Sequence, residues 1–127
     1  MTPVALSDIK DSSGLTQALD STKLAVLMFT AGWCGPCKRI KSAISNDTES
    51  DIAREYSDRV IFYYIDIDKN PDLASEFSIK GIPVFYFVST RSGVIEFLAD
   101  SISGAQTQPL INAIEKGLTK LGLHTQF

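Results

Sequence analysis

The feature that most constrains this chain is a pair of cysteines placed just past an apolar run. The run is Leu24 to Phe29, the pair is Cys34 and Cys37 within Trp33-Cys34-Gly35-Pro36-Cys37-Lys38, and no other cysteine occurs in the 127 residues. Lys38 to Ile44 has helical character. The order therefore predicts a strand, a tight turn and a helix, with Cys34 at the start of the helix. Residues 24–30 are nearly all apolar, the pattern of a strand buried on both faces in a sheet covered by helices.

That placement carries chemistry. A helix N-terminus presents unpaired N–H groups and about half a positive charge, which favour an anion. A thiol held there loses its proton more readily than a free cysteine, and the thiolate is the species that attacks disulfides. Gly35 lets the backbone turn tightly beside the sulfur. Pro36 suits a first helical turn because it has no N–H to satisfy. Cys34 thus reads as the exposed nucleophile and Cys37 as the resolving thiol.

Other classes of function fit poorly. The net charge of −3 comes without any basic cluster, which argues against nucleic-acid binding. No apolar run approaches the ~20 residues that span a bilayer. The N-terminal Met1 to Lys10 lacks a basic region followed by a long apolar stretch. A reducing cytosol is the expected compartment, where two cysteines this close form a redox pair or half a metal site rather than a structural staple. One histidine, His124, lies far off in the tail. It does not complete a zinc tetrad, although metal bridging between two chains stays open. Nor does any histidine near the pair suit Cys/His acyl transfer.

The length suggests one domain over residues 1–127. Val4 to Ile9 reads as a short strand or extended arm. Leu15, Ala18 and Leu19 recur at helical spacing, giving a short helix to about Asp20 after the Asp11-Ser-Ser-Gly14 turn. Ser45 to Ser50 interrupts the helix after the cysteines. A break near Asn46 and a second piece from Glu49 to Tyr56, capped by Thr48 with Asp51, competes with one continuous helix. Arg59 to Asp68 is a strand, and Pro71 opens a short helix holding Leu73, Ala74 and Phe77. Gly81-Ile82-Pro83 leads into the strand Val84 to Val88, and Arg91 to Gly93 is a hairpin turn into Val94 to Leu98. A polar loop from Asp100 to Gln108 precedes the last helix. Pro109 lies in its first turn, Leu110, Ile111, Ile114, Leu118 and Leu121 form its buried stripe, and Gly122 ends it.

The string Trp33-Cys34-Gly35-Pro36-Cys37-Lys38 after an apolar strand resembles the active site of the thioredoxin family. The predicted order β-α-β-α-β-α-β-β-α is similar to the thioredoxin fold. The resemblance implies a three-layer α/β/α architecture, with a central mixed sheet of about five strands and about four helices. Taken alone, Pro83 is a trans proline opening a strand. The resemblance makes the Ile82-Pro83 peptide cis and lays it against the cysteines, leaving the Ile82 backbone to pair with a substrate peptide. Trp33 is either a core filler or, beside a reactive cysteine on a turn, a contact surface. Asp68 is either a solvated strand end or, by resemblance, the acceptor of the Trp33 indole N–H. Trp33, Gly35, Pro36 and Asp68 are then active-site support, and Trp33, Ile82 and Pro83 the substrate surface.

Several positions depart from the family pattern. Many members carry a buried Asp six residues before the first cysteine, where this chain has Met28. The Lys that often accompanies it is Tyr64 here, and the helix proline is Ser42. The Thr most often found after the cis proline is Val84. The family's glycine near the active site matches Ala99 or Gly104. Without the acid, Cys37 gives its proton to water or to the departing substrate thiolate, and resolution is slower.

The implied activity is reduction of protein disulfides by dithiol exchange through Cys34 and Cys37. No cofactor is needed in the protein itself. Disulfide-containing proteins are the substrates, and an NADPH-dependent thioredoxin reductase, or glutathione, is the reducing partner of a monomer. The competing class is a binding or scaffold module that keeps the fold and makes little use of its thiols. A secretory oxidase or isomerase would need a targeting signal.

Overall fold

The computed structural model describes residues 3–46 and 51–123. In chain order the elements are β1 (Val4–Leu6), α1 (Ser12–Ala18), β2 (Leu24–Thr30), α2 (Gly35–Ile44), α3 (Ile52–Glu55), β3 (Val60–Asp66), α4 (Pro71–Glu76), β4 (Val84–Arg91), β5 (Val94–Ser103) and α5 (Thr107–Leu121). The strands form one sheet in the order β1-β3-β2-β4-β5. β1 and β2 run parallel to β3, while β4 is antiparallel to β2 and to β5.

Strand parity explains the three layers. Successive side chains of β2 point to opposite faces, and all seven are buried. Leu24, Val26 and Met28 pack with Ile40 and Ile44 of α2 and with Leu110, Ile114 and Leu118 of α5. Ala25, Leu27 and Phe29 pack with Leu15 of α1 and Leu73 of α4. Truncating one of these fully buried leucines to alanine costs about 2–5 kcal/mol. The mixed five-stranded sheet between helical layers is the expected thioredoxin fold, with five helical segments among the described residues in place of about four.

Two boundaries and one buried stripe show where the structure departs from the sequence reading. The proposed second helical piece begins at Ile52, with Asp51 as its N-cap; the Asp51 carboxylate accepts the Arg54 N–H at 2.9 Å. Thr48 and Glu49, placed in that cap and helix by sequence, lie outside the described residues. The polar loop expected from Asp100 is instead strand, since β5 runs on to Ser103 and pairs Ile102 with Phe85 and Ser103 with Val84. In α5, Leu110, Ile114 and Leu118 are buried with Ala113 and Gly117, while Ile111 and Leu121 are only half-buried. Gly122 ends that helix in the left-handed region at φ 71°, which glycine reaches without steric cost.

Candidate active site

β2 delivers the chain to the C-terminal end of the sheet, where residues 31–34 turn into α2. Cys34 is the N-cap of α2, and its sulfur accepts the Cys37 N–H at 3.2 Å. That is one of the orphan donors every helix start presents, here aimed at a sulfur. The first turn of α2 contains no acidic residue, so nothing there opposes negative charge on Cys34. Pro36 lies within that turn.

Cys34 and Cys37 are joined by a disulfide, with Cα atoms 5.3 Å apart. The expectation of an exposed Cys34 needs correction: the residue is 5% exposed, and Cys37 is fully buried. The physical reason is the loop on its far side. The Ile82-Pro83 peptide is cis, and the Ile82 carbonyl oxygen lies 3.9 Å from Cys34 Sγ. Access is through a cleft of about 450 Å³ that Cys34 lines together with Trp33, Gly35, Pro36 and Ile82. Trp33 stands out from it at 68% exposure, an uncovered aromatic beside a largely buried cysteine.

Trp33 is held from a distant part of the chain. Its indole N–H donates to Asp68 Oδ2 at 3.0 Å, and the Asp68 N–H donates to Asp66 Oδ1 at 2.8 Å. Asp68 is itself exposed. Pro83 is buried and Ile82 half-buried at the cleft edge. Of the two glycine candidates, Gly104 is the one beside Pro83, donating its N–H to the Pro83 carbonyl at 3.0 Å, while Ala99 pairs with Phe87.

The cleft also contains Ile67, Ile79 and Lys80, which the sequence reading did not single out. Lys80 directly precedes Gly81-Ile82-Pro83, so adjacency was a usable signal. Ile79 is placed by Ser78 at φ 54° and by its N–H bond to Ala74 O at 3.0 Å. No sequence feature marks a serine for that conformation.

Met28 is fully buried in the same cluster as Cys37 and is the register partner of Tyr64 on β3. Burial pushes the Tyr64 phenol up to about 12. The Lys41 ammonium, one turn beyond Cys37, lies 4.9 Å from the centre of the Tyr64 ring. Among the described residues no cluster of three or more metal-ligating side chains occurs, and no helix is long and apolar enough to cross a membrane. His124 lies outside the described residues.

A sheet of this topology, with a Cys-Gly-Pro-Cys disulfide at a helix start facing a cis-proline loop, defines a thiol–disulfide exchange protein of the thioredoxin class. The family model "Thioredoxin" matches residues 8–116, and the chain belongs to the thioredoxin family. It is 37% identical over 110 residues to a thioredoxin of Geodia cydonium, covering 85% of this chain and 94% of that protein. It is 33% identical over 107 residues to Thioredoxin-T of Drosophila melanogaster, covering 84% of this chain but only 62% of that longer protein. The solved structure of Trichomonas vaginalis thioredoxin superposes with a TM-score of 0.75 at 27% identity, over 91% of this chain and 96% of that one. The chain is a thioredoxin-type thiol–disulfide oxidoreductase, a protein-disulfide reductase whose redox pair is Cys34 and Cys37.

Proposed function

We propose that Cys34 is the attacking sulfur and Cys37 the resolving one. The observation that carries this assignment is the N-cap geometry: Cys34 Sγ receives a helix N–H and borders the cleft, while Cys37 is fully buried behind it. The Cys34 thiolate attacks one sulfur of a protein disulfide, forms a mixed disulfide and expels the other sulfur as a thiolate. Cys37 then loses its proton and attacks Cys34 Sγ. The Cys34–Cys37 bond forms and the second substrate thiol leaves. Two electrons have passed to the substrate, and a reductase or glutathione must return them.

Trp33, Ile82 and Pro83 are the substrate surface in this reading. Gly35, Pro36 and Asp68 support it, the first two by shaping the turn and Asp68 by holding Trp33. The substrates are proteins with accessible disulfides, and the reducing partner is a thioredoxin reductase drawing on NADPH. We place this activity in one domain, acting as a monomer in a reducing compartment such as the cytosol.

Insulin reduction tests the assignment. Cys34→Ser should bring turnover down to the rate of the chemical reductant alone, while Cys37→Ser should accumulate a covalent mixed disulfide. Full insulin reduction by Cys34→Ser would overturn the assignment. If the cellular function survives in a Cys34→Ser strain, the scaffold reading replaces it.

A further inference from the structure

The disulfide cleft is lined by apolar side chains with one exception. Trp33, Pro36, Ile67, Ile79 and Ile82 line it, and apart from the reactive sulfur Lys80 is the one lining residue with an ionisable side chain. Lys80 is exposed, and among the described residues no carboxylate lies within 4.0 Å of its ammonium. Two acids from the same part of the chain are engaged elsewhere. Asp68 Oδ2 accepts the Trp33 indole N–H at 3.0 Å, and the Glu76 carboxylate accepts the Ser12 hydroxyl.

The backbone on both sides of Lys80 is fixed. α4 ends in three bonds, Phe77 N–H to Leu73 O, Ser78 N–H to Ser75 O and Ile79 N–H to Ala74 O, each at 3.0 Å. Ile79 packs against the core on the α1 and α4 face. On the other side, Ile82 packs against both cores and carries the carbonyl 3.9 Å from Cys34 Sγ. Lys80 is two residues from Ile82, and two residues span at most about 7 Å of backbone. The flexible four-carbon stem of a lysine then brings the ammonium within reach of the residues beside a cysteine under attack.

A charge at the rim of a binding site acts on association and rejects partners of like charge. Taking Cys34 as the attacking sulfur of this cleft, as proposed above, we propose that Lys80 sets substrate preference. It favours protein disulfides whose cysteine is flanked by Asp or Glu and disfavours those flanked by Lys or Arg. Lys80 forms no bond in the exchange itself.

The test uses the whole reduced protein and two short peptides, each as its symmetric disulfide, identical except for Glu or Lys beside the cysteine. Second-order rate constants for their reduction are measured at low salt by acid-quenched single turnover. The parent protein should reduce the Glu peptide about threefold faster, the worth of one exposed charge pair. The net charge of −3 would by itself draw in the Lys peptide, so this preference runs against the field of the whole molecule. Lys80→Gln should abolish the preference and Lys80→Glu should invert it. Lys120→Glu, on the exposed last turn of α5, should leave the preference for Glu in place. Salt at 1 M should remove it, because the screening length falls to about 3 Å.

The ratio of the two rates is the readout, since a lysine that only made Cys34 more acidic would move both peptides together. Equal rates for the two peptides with the parent protein, or a parent ratio that survives Lys80→Glu, would overturn the proposal. A Cys34→Ser control separates the two levels of the reading. If it reduces neither peptide while the parent shows no preference, the attacking sulfur stands and the role of Lys80 falls. Reduction of either peptide by Cys34→Ser would overturn both.

Discussion

Met28 decides how the second half of the exchange can proceed. It fills, without any exposure, the place where many relatives by resemblance carry a buried acid, and it shares its cluster with Cys37. The polar groups nearby do not replace that acid. The Tyr64 phenol, raised to about 12 by burial, stays protonated at neutral pH and is no base, and the Lys41 ammonium is a donor. With Cys37 as the resolving thiol proposed above, its proton is expected to leave to water or to the departing thiolate. General-base assistance typically contributes about 10²–10⁴-fold to a rate. The mixed disulfide with a substrate, trapped by acid quenching, is expected to persist at least about tenfold longer than in a thioredoxin with Asp at that position. Equal lifetimes would contradict this account of Met28.

At the scale of elements, Asp51 shows how a short helix survives. α3 is only four residues long, Ile52–Glu55, too short to hold itself. Its N-cap carboxylate satisfies the Arg54 N–H, while Ile52 and Ala53 are buried. Asp51→Ala should lower unfolding stability by about 1 kcal/mol in urea titration; no change would mean that packing alone maintains α3. The sequence marked Asp51 as part of a cap but shifted the helix start, because several capping residues crowd that stretch. β2 was legible because a run of six apolar residues, Leu24 to Phe29, has few other uses. The far end of β5 was not. Asp100, Ser101 and Ser103 have the composition of a loop, and the strand is carried past a register shift by Ile102 and Ser103 pairing with Phe85 and Val84 of β4. Asn70 was likewise read only as part of a strand terminator. It is a buried link, accepting the Ile9 N–H and donating to Leu6 O and Asp66 O, and local sequence does not reveal partners so far away.

For the whole molecule, buried phenols set an alkaline limit. Burial raises Tyr56 to about 12, aided by its hydrogen bond to Glu115, and raises Tyr64 to about 12. In the unfolded chain tyrosine titrates near pH 10. Below that value both states keep their protons, so these groups leave stability independent of pH. Above it the unfolded chain releases protons that the folded one retains, and stability falls as pH rises toward the folded values. The urea midpoint should be level as pH approaches 10 and decline between 10 and 12; a level midpoint throughout would show that these phenols are not shielded. The site itself was partly legible on the same scale. Its cysteines, turn and proline are local signals, whereas Ile67 and Ile79 enter the cleft only because α4 and the sheet end fold toward Cys34.

The account stands on the difference in reactivity between two sulfurs of one motif. Alkylation of the reduced protein with iodoacetamide at neutral pH, resolved by peptide mass spectrometry, measures it directly. Cys34, capped by a helix N–H and bordering the cleft, should be modified at least about tenfold faster than the buried Cys37, as a thiolate reacts ahead of a thiol. Equal rates at the two cysteines, or modification of Cys34 only after unfolding, would contradict it.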